Sequence, residues 1–427
     1  MSELQKSLSL PQIIALYIGA VLGSGVLFLP GVAASMSGPL SIAAWIVISV
    51  AAVPLALTMG LLSAFHPSSG GVSHFVSLAF GKKFGTVIGW MFLLSVPTGV
   101  PIIALTGSSY VGQLFQWNHQ QVVLGAAVIL AVVLLINFFG VKTMGIIQTL
   151  VISLILFVLL FSIFSSIPHV EAVNFTPFSP NGMWSVVPTI GILFWCFIGW
   201  ESVTHMSGEF NDPGKDALKG VLWSAGIVSF IYILLGIMVV GTGSYQNGMA
   251  ETALSGMVQL SFGKTGGILV SITALFISIA SSNAYVSAGS RIAYTLSQQK
   301  AAPKWFGTLH ASYRTPVGGL RFIALIFAIL LTGVYFQVIS LETLLPFPNA
   351  TYFATYIGGA AAGVKLLKHH QVGKVSSIAS LILTLGFFPF LGWVALYPVM
   401  VIIIVYLWKS NREKADIHVN KHADLKS

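Results

Sequence analysis

The sequence predicts an all-α membrane protein of twelve transmembrane helices, the first and the sixth of them broken near mid-span. Three observations carry that expectation. Of 427 residues, 56% are hydrophobic and only 7% are charged, where an ordinary soluble domain has about a quarter charged. Uncharged runs close to the ~20 residues needed to cross roughly 30 Å of hydrocarbon recur along the whole chain. Two of those runs are interrupted by glycines at matching positions in the order of spans. Lipid offers backbone groups no partners, so such runs form helices or a closed barrel, and the lack of two-residue alternation excludes the barrel.

Taken in order, span one covers residues 11 to 34 and follows a polar stretch, Met1 to Leu10, that contains Lys6. Span two covers 39 to 63, and Lys82 and Lys83 separate it from span three at 85 to 115. Span four, 121 to 139, is parted from span five, 145 to 167, by Lys142. Span six runs from 184 to 207, and Lys215 and Lys219 mark the approach to span seven at 219 to 243. Lys264 precedes span eight, 266 to 296, and Arg291, Lys300, Lys304, Arg314 and Arg321 gather around its connection to span nine, 318 to 337. Span ten is 344 to 366, with Lys365 at its end and Lys368 and Lys374 after it. The last apolar stretch reads as two short spans, 376 to 391 and 393 to 408, or as one helix kinked at Pro389.

Charge decides the orientation and the last pair. Lys and Arg prefer cytoplasmic loops, and with the N-terminus inside, Lys264 alone of twenty basic residues lands outside. A single final crossing would put the basic tail, residues 409 to 427, outside, so two crossings are expected and both termini face the cytoplasm. The net charge of +9 therefore sits in short loops and does not indicate a nucleic-acid partner. No small-residue cleavage site follows the first apolar run, so no removed signal peptide is expected. The single cysteine, Cys196, can form no internal disulfide and reads as a small packing residue.

The two breaks point to a site. In span one, Gly23, Ser24 and Gly25 interrupt the run, with Pro30 further on; in span six, Phe194 to Ile198 lead into Gly199, Trp200 and Glu201. Paired interruptions in corresponding spans mark a midplane binding site between two repeats, here residues 11–167 and 184–366, with 376–408 outside them. Small residues also permit close helix packing, and Gly358, Gly359 and Gly363 read that way. A broken helix leaves N–H groups at the positive end of its second half and carbonyls at the end of its first. An α-amino acid carries a carboxylate and an ammonium at a separation such a site could hold, and the Ser24 hydroxyl adds a donor.

At these residues the chain resembles the amino acid-polyamine-organocation transporter superfamily over essentially its full length. Gly23, Ser24 and Gly25 resemble the first-helix motif, Phe194 to Glu201 the sixth-helix motif, and Pro67, Ser69, Gly70, Gly71, Phe80 and Gly81 the signature of the second-to-third connection. Ser73 stands where many members carry Tyr. Val72, His74, Phe75 and Val76, the stretch from Phe194 to Phe210 with His205 and Glu209, and Pro97, Gly99 and Pro101 are most similar to the bacterial exporters of methionine and branched-chain amino acids. The resemblance implies a five-plus-five inverted repeat of the LeuT-like kind, alternating access, and a bacterial cytoplasmic-membrane location. It also implies that Gly23, Ser24 and Gly25 take the carboxylate, that carbonyls near Ile18, Gly19, Phe194 and Phe197 take the ammonium, and that Trp195 gates the substrate. As an isolated residue, Trp195 reads equally as a packed core aromatic.

Glu201 and His205 are the ionisable residues expected deep in the hydrocarbon, where such groups are costly. Spaced i and i+4, they can meet as a proton-coupling pair; alternatively Glu201 braces backbone freed at the break. A metal site from Cys196, Glu201 and His205 is not expected, since Cys196 lies too far round the helix, and no cofactor is expected. Some members of the superfamily carry a lysine in span five in place of a sodium ion; Met144 to Ser166 contains none. That leaves protons through Glu201, a sodium ion near Ser281 and Ser282, with Asn283 alongside, or simple exchange. The serines read alternatively as bonded to their own backbone. With no second buried counter-charge, the substrate is expected to be a small neutral amino acid such as leucine, isoleucine, valine or methionine, against a wall that includes Phe194, Trp195 and Cys196. Direction and oligomeric state are not legible. An uptake or exchange carrier and a sensor without flux stay open; an enzyme would need a richer cluster of acids, histidines or cysteines, and a channel would need a filter.

Overall fold

The computed structural model describes residues 6–23, 25–340, 346–403 and 405. Among them no strand forms, and the one isolated bridge joins Leu8 to Phe210. The first expected span is two helices, α1 (Leu10–Val21) and α2 (Gly25–Ser37). α1 starts where Ser9 and Gln12 cap one another, the Ser9 N–H donating to Gln12 Oε1 at 2.9 Å, and Pro11 lies in the first turn, which needs no N–H from it. The next helices are α3 (Ser41–Phe65), α4 (Gly71–Phe80), α5 (Lys82–Phe115), α6 (His119–Phe138) and α7 (Val141–Ser166).

The sixth expected span is broken too. α8 (Val186–Leu193) tightens into a 3₁₀ turn at Phe194–Phe197, leaves helical geometry at Ile198 and Gly199, and resumes as the short α9 (Trp200–Thr204). Then come α10 (Pro213–Thr242), α11 (Ala253–Phe262), α12 (Lys264–Gln298), α13 (Val317–Tyr335), α14 (Pro346–Leu366) and α15 (Gln371–Phe387). After α15 the chain does not continue as one α-helix: a 3₁₀ stretch, Phe388–Ala395, holds Pro389 before residues 396–403 turn helical again. The expected tail, 409–427, and residues 1–5 of the expected N-terminal segment lie outside the described residues.

Among the described residues, eight stretches are long and apolar enough to cross a membrane, one of them running α2 and α3 together. α7 illustrates why. Its outward stripe, Leu150, Leu154, Phe157, Phe161 and Phe164, is exposed, while Ile152, Ile155, Leu159 and Ile163 are buried, so both faces are apolar. A helix hydrophobic all round has no water-facing side and belongs in lipid. Two helices differ from the expected spans: α4 lies in what reads as a loop connection, and α11 follows the seventh span. In packing, α12 runs along α5 and α10 along α3, while α1 is clasped by α7, α10 and α12. Both interruptions are thereby buried at the centre of the bundle.

Candidate functional site

Gly199 makes the second break possible. Its φ of 136° is open essentially to glycine, and a Cβ there would sit 2.7 Å from the Ala20 carbonyl oxygen, so the two interrupted helices touch backbone to backbone. The freed donors of α9 are met by protein: Gly199 N–H donates to Glu201 Oε2 and to the Tyr356 hydroxyl, each at 3.0 Å, and Trp200 N–H donates to the same hydroxyl at 3.0 Å. At the other break the first N–H groups of α2 have no intrahelical partner by position. Among the described residues, Val26 N–H reaches the Gly23 carbonyl, at 3.4 Å.

A cavity of about 470 Å³ opens beside the breaks, on the half of the bundle toward Ser37 and Met183. Of the residues expected to bind substrate, Gly23, Gly25, Trp195 and Cys196 line it, and Ser281 lines it from α12. Ser24 lies outside the described residues. Ile18 and Gly19 lie on α1 below the wall, which is formed instead by Ala20 and Val21. The Ile18 carbonyl accepts the Leu22 N–H at 2.8 Å, and Gly19 gives room to the Gln148 amide. Phe194 and Phe197 also turn away, because successive residues of a 3₁₀ turn point about a third of a circle apart. Phe194 stacks on Phe387 and Phe353, at 4.3 and 5.3 Å between ring centroids, and Phe197 leans on Tyr232. The expected apolar wall of Phe194, Trp195 and Cys196 is thus corrected to the last two.

The expected contact of Glu201 with His205 is not made. Both are fully buried, but Glu201 turns to the break, toward Gly199 and the Tyr285 and Tyr356 hydroxyls. His205 stacks on Phe92, centroids 4.2 Å apart, and packs on the backbone of Gly71, beside the backbone of Ser69. The helix ends at Thr204, so the spacing that would align positions i and i+4 is not kept. Ser281 and Ser282 have hydroxyls without partners, and only Ser281 reaches the cavity. Asn283 is committed elsewhere: it donates to Gln148 Oε1 and accepts from Asn137 Nδ2, both at 2.7 Å. Gln148 in turn donates to the carbonyls of Ala280, at 3.1 Å, and Ala15, at 3.4 Å, tying α7 to α12 and α1.

Other parts of the wall escape sequence reasoning. Tyr285 and Tyr352, with centroids 5.4 Å apart, stand at its base, and Gly99, Ile102 and Ile103 of α5 face it. Tyr285 lies one turn beyond Ser281 on α12, which is the signal that could have found it. No acidic, basic or histidine side chain lines the cavity among the described residues.

The opposite half is fastened around Leu8, and a smaller cavity of about 220 Å³ reaches Glu209 and Arg291 there. Leu8 is fully buried; Ser7 and Leu8 donate to the Glu209 carbonyl at 2.9 and 3.0 Å, and Asn211 N–H returns to the Leu8 carbonyl at 2.9 Å. Glu209 also pairs with Arg291, whose Nε and Nη2 meet its two carboxylate oxygens, with both side chains 3% exposed. Arg291, expected among the loop charges, is therefore a buried residue of α12, and Glu201 and His205 are joined by two further buried ionisable groups.

Comparison with known proteins places these features in a family context. The profile of a family described as amino acid permease matches residues 8–412. A Bacillus subtilis protein named as an uncharacterised amino acid permease, YecA, is 37% identical over 411 residues, covering 96% of this chain and 97% of that one. The L-methionine/branched-chain amino acid exporter YjeH of Escherichia coli is 26% identical over 412 residues, 96% of each chain. The serine/threonine exchanger SteT of Bacillus subtilis is 24% identical over 369 residues, 83% of each.

Proposed function

This chain belongs to the amino acid permease family, within the amino acid-polyamine-organocation superfamily, and from that premise we propose that it is a secondary active transporter of small neutral α-amino acids. The observation that carries the reading is the uncharged cavity at two touching helix interruptions. There the start of α2 offers peptide N–H groups to a carboxylate and the end of α1 offers carbonyls to an ammonium. An uncharged wall of Ile102, Ile103, Trp195 and Cys196 suits a neutral, apolar side chain. Similarity to the methionine and branched-chain exporter supports leucine, isoleucine, valine or methionine as substrates and export as the direction. Two inverted repeats, 11–167 and 184–366, twelve crossings, both termini in the cytoplasm and a bacterial inner membrane complete the reading; the distribution of Lys and Arg supports its orientation. The end fastened by Leu8, Glu209 and Arg291 is then cytoplasmic and the larger cavity faces outward.

Coupling falls to Glu201. One oxygen is held by the break and the Tyr285 and Tyr356 hydroxyls stand beside the carboxyl, an arrangement suited to an acid that exchanges a proton as access alternates. His205, wedged between Phe92 and Gly71, braces this region. Sodium is disfavoured at the crossing of α1 and α12, since the carbonyls of Ala15 and Ala280 already receive the Gln148 amide. Counterflow in proteoliposomes against a panel of unlabelled amino acids tests the reading: leucine and methionine exchange, while arginine and glutamate do not. Binding of leucine without any flux would instead make the protein a sensor.

A further inference from the structure

Four glycines line the cavity, and they are not equivalent. A Cβ on Gly25 would sit 2.8 Å from Cys196 Sγ, one on Gly99 would sit 3.2 Å from Pro348 Cβ, and one on Gly23 would find Ser281 Oγ at 3.8 Å. On Gly191 it would meet nothing within 4 Å. The first two are glycines because neighbours occupy the space. Gly191 is not needed for packing, and its φ is not in the left-handed region, so nothing local demands a residue that weakens a helix by about 1 kcal/mol relative to alanine. It lies one turn before Trp195 on α8, on the wall that continues from the helix break.

The cavity is also larger than the expected substrates need. At a water's share of about 30 Å³ per non-hydrogen atom, 470 Å³ has room for roughly fifteen such atoms. That exceeds the zwitterions of valine, leucine or methionine and is comparable to tryptophan. Resting on the amino-acid site proposed above, we infer that Gly191 sets the size limit of the side-chain compartment, and that the space it leaves extends the substrate class to neutral aromatic amino acids. The bulky side chain is expected among Gly191, Trp195, Ile102, Ile103 and Phe28, all of which line the cavity.

The test is ligand-dependent thermal stabilisation of the purified full chain in detergent, with valine, leucine, phenylalanine and tryptophan as probes. Phenylalanine and tryptophan are expected to stabilise the native chain as leucine does. Gly191→Leu, which projects into the compartment, is expected to weaken both by roughly tenfold or more while valine changes by no more than about twofold. Gly191→Ala should fall between them, and it carries the same comparison should the leucine variant lower the melting temperature without ligand. Stabilisation by leucine but not by phenylalanine or tryptophan in the native chain would overturn the inference, as would an equal loss for valine and tryptophan in the variants. Because occupancy is read rather than turnover, a chain that binds these amino acids without flux would contradict the transport reading and leave the size limit standing.

Discussion

Glu201 accepts a hydrogen bond from Gly199 at the break in a fully buried place, with the Tyr285 and Tyr356 hydroxyls beside its carboxyl. Replacing it with glutamine keeps the shape and removes the exchangeable proton. Glu201→Gln is therefore expected to stay folded and to lose the response of flux to an imposed pH gradient; flux that still follows the gradient would remove Glu201 from coupling. Gly25 is a second single-residue test. Since even a Cβ would press on Cys196 Sγ at 2.8 Å and on Leu29 at 3.2 Å, Gly25→Leu fills the cradle where the carboxylate is expected. Substrate binding should disappear in calorimetry of the purified protein, and native affinity would contradict the site. At this scale the sequence is most legible where glycine stands beside an intramembrane acid, because few other roles explain that pair. It is least legible for His205 and Phe194, whose directions depend on where α9 ends and how the 3₁₀ turn rotates.

The interruptions themselves are legible because backbone rules, not tertiary packing, create them. Gly199 needs a positive φ and close approach to Ala20, so Gly199→Ala should cost about 1–3 kcal/mol, visible as a lower melting temperature in detergent even without substrate. The long spans are legible for a similar reason: lipid demands an apolar helix of a given length. α4 is not. Ten residues give a weak periodic signal, and an isolated helix of that length is marginal, so its existence depends on packing against α5 and α14. Its Gly71 has a φ of 47°, and a Cβ there would lie 2.6 Å from the His205 ring, which ties a recognisable glycine signature to a contact that no spacing rule displays. The wall supplied by α5 and α14 is likewise set by how whole helices dock. Pro97 and Pro101 stand out in the sequence, but nothing in it brings Gly99 to Pro348.

Across the whole molecule, the two ends of the bundle are held differently. The cavity half is open at Trp195 and Gly191, while the other half is fastened by the Leu8–Phe210 bridge and the buried Glu209–Arg291 pair. The alternating access proposed above requires that fastening to part. Removing one member of a buried pair leaves a charge uncompensated at roughly 3–5 kcal/mol, so Arg291→Met is expected to destabilise the closed end strongly, and Glu209→Gln added to it should restore much of the loss. Melting temperatures of the two single variants and the double variant measure this, and additive losses would deny the pair any coupling. The same asymmetry gives the chain's only thiol an unplanned use. Cys196 stands in the cavity wall next to Gly25 but is only 2% exposed, so a small maleimide that reaches it in intact cells reports, without any engineered label, movement at the α8 break rather than an open chamber. A ligand that holds the break in place would slow that alkylation further in the unmodified protein.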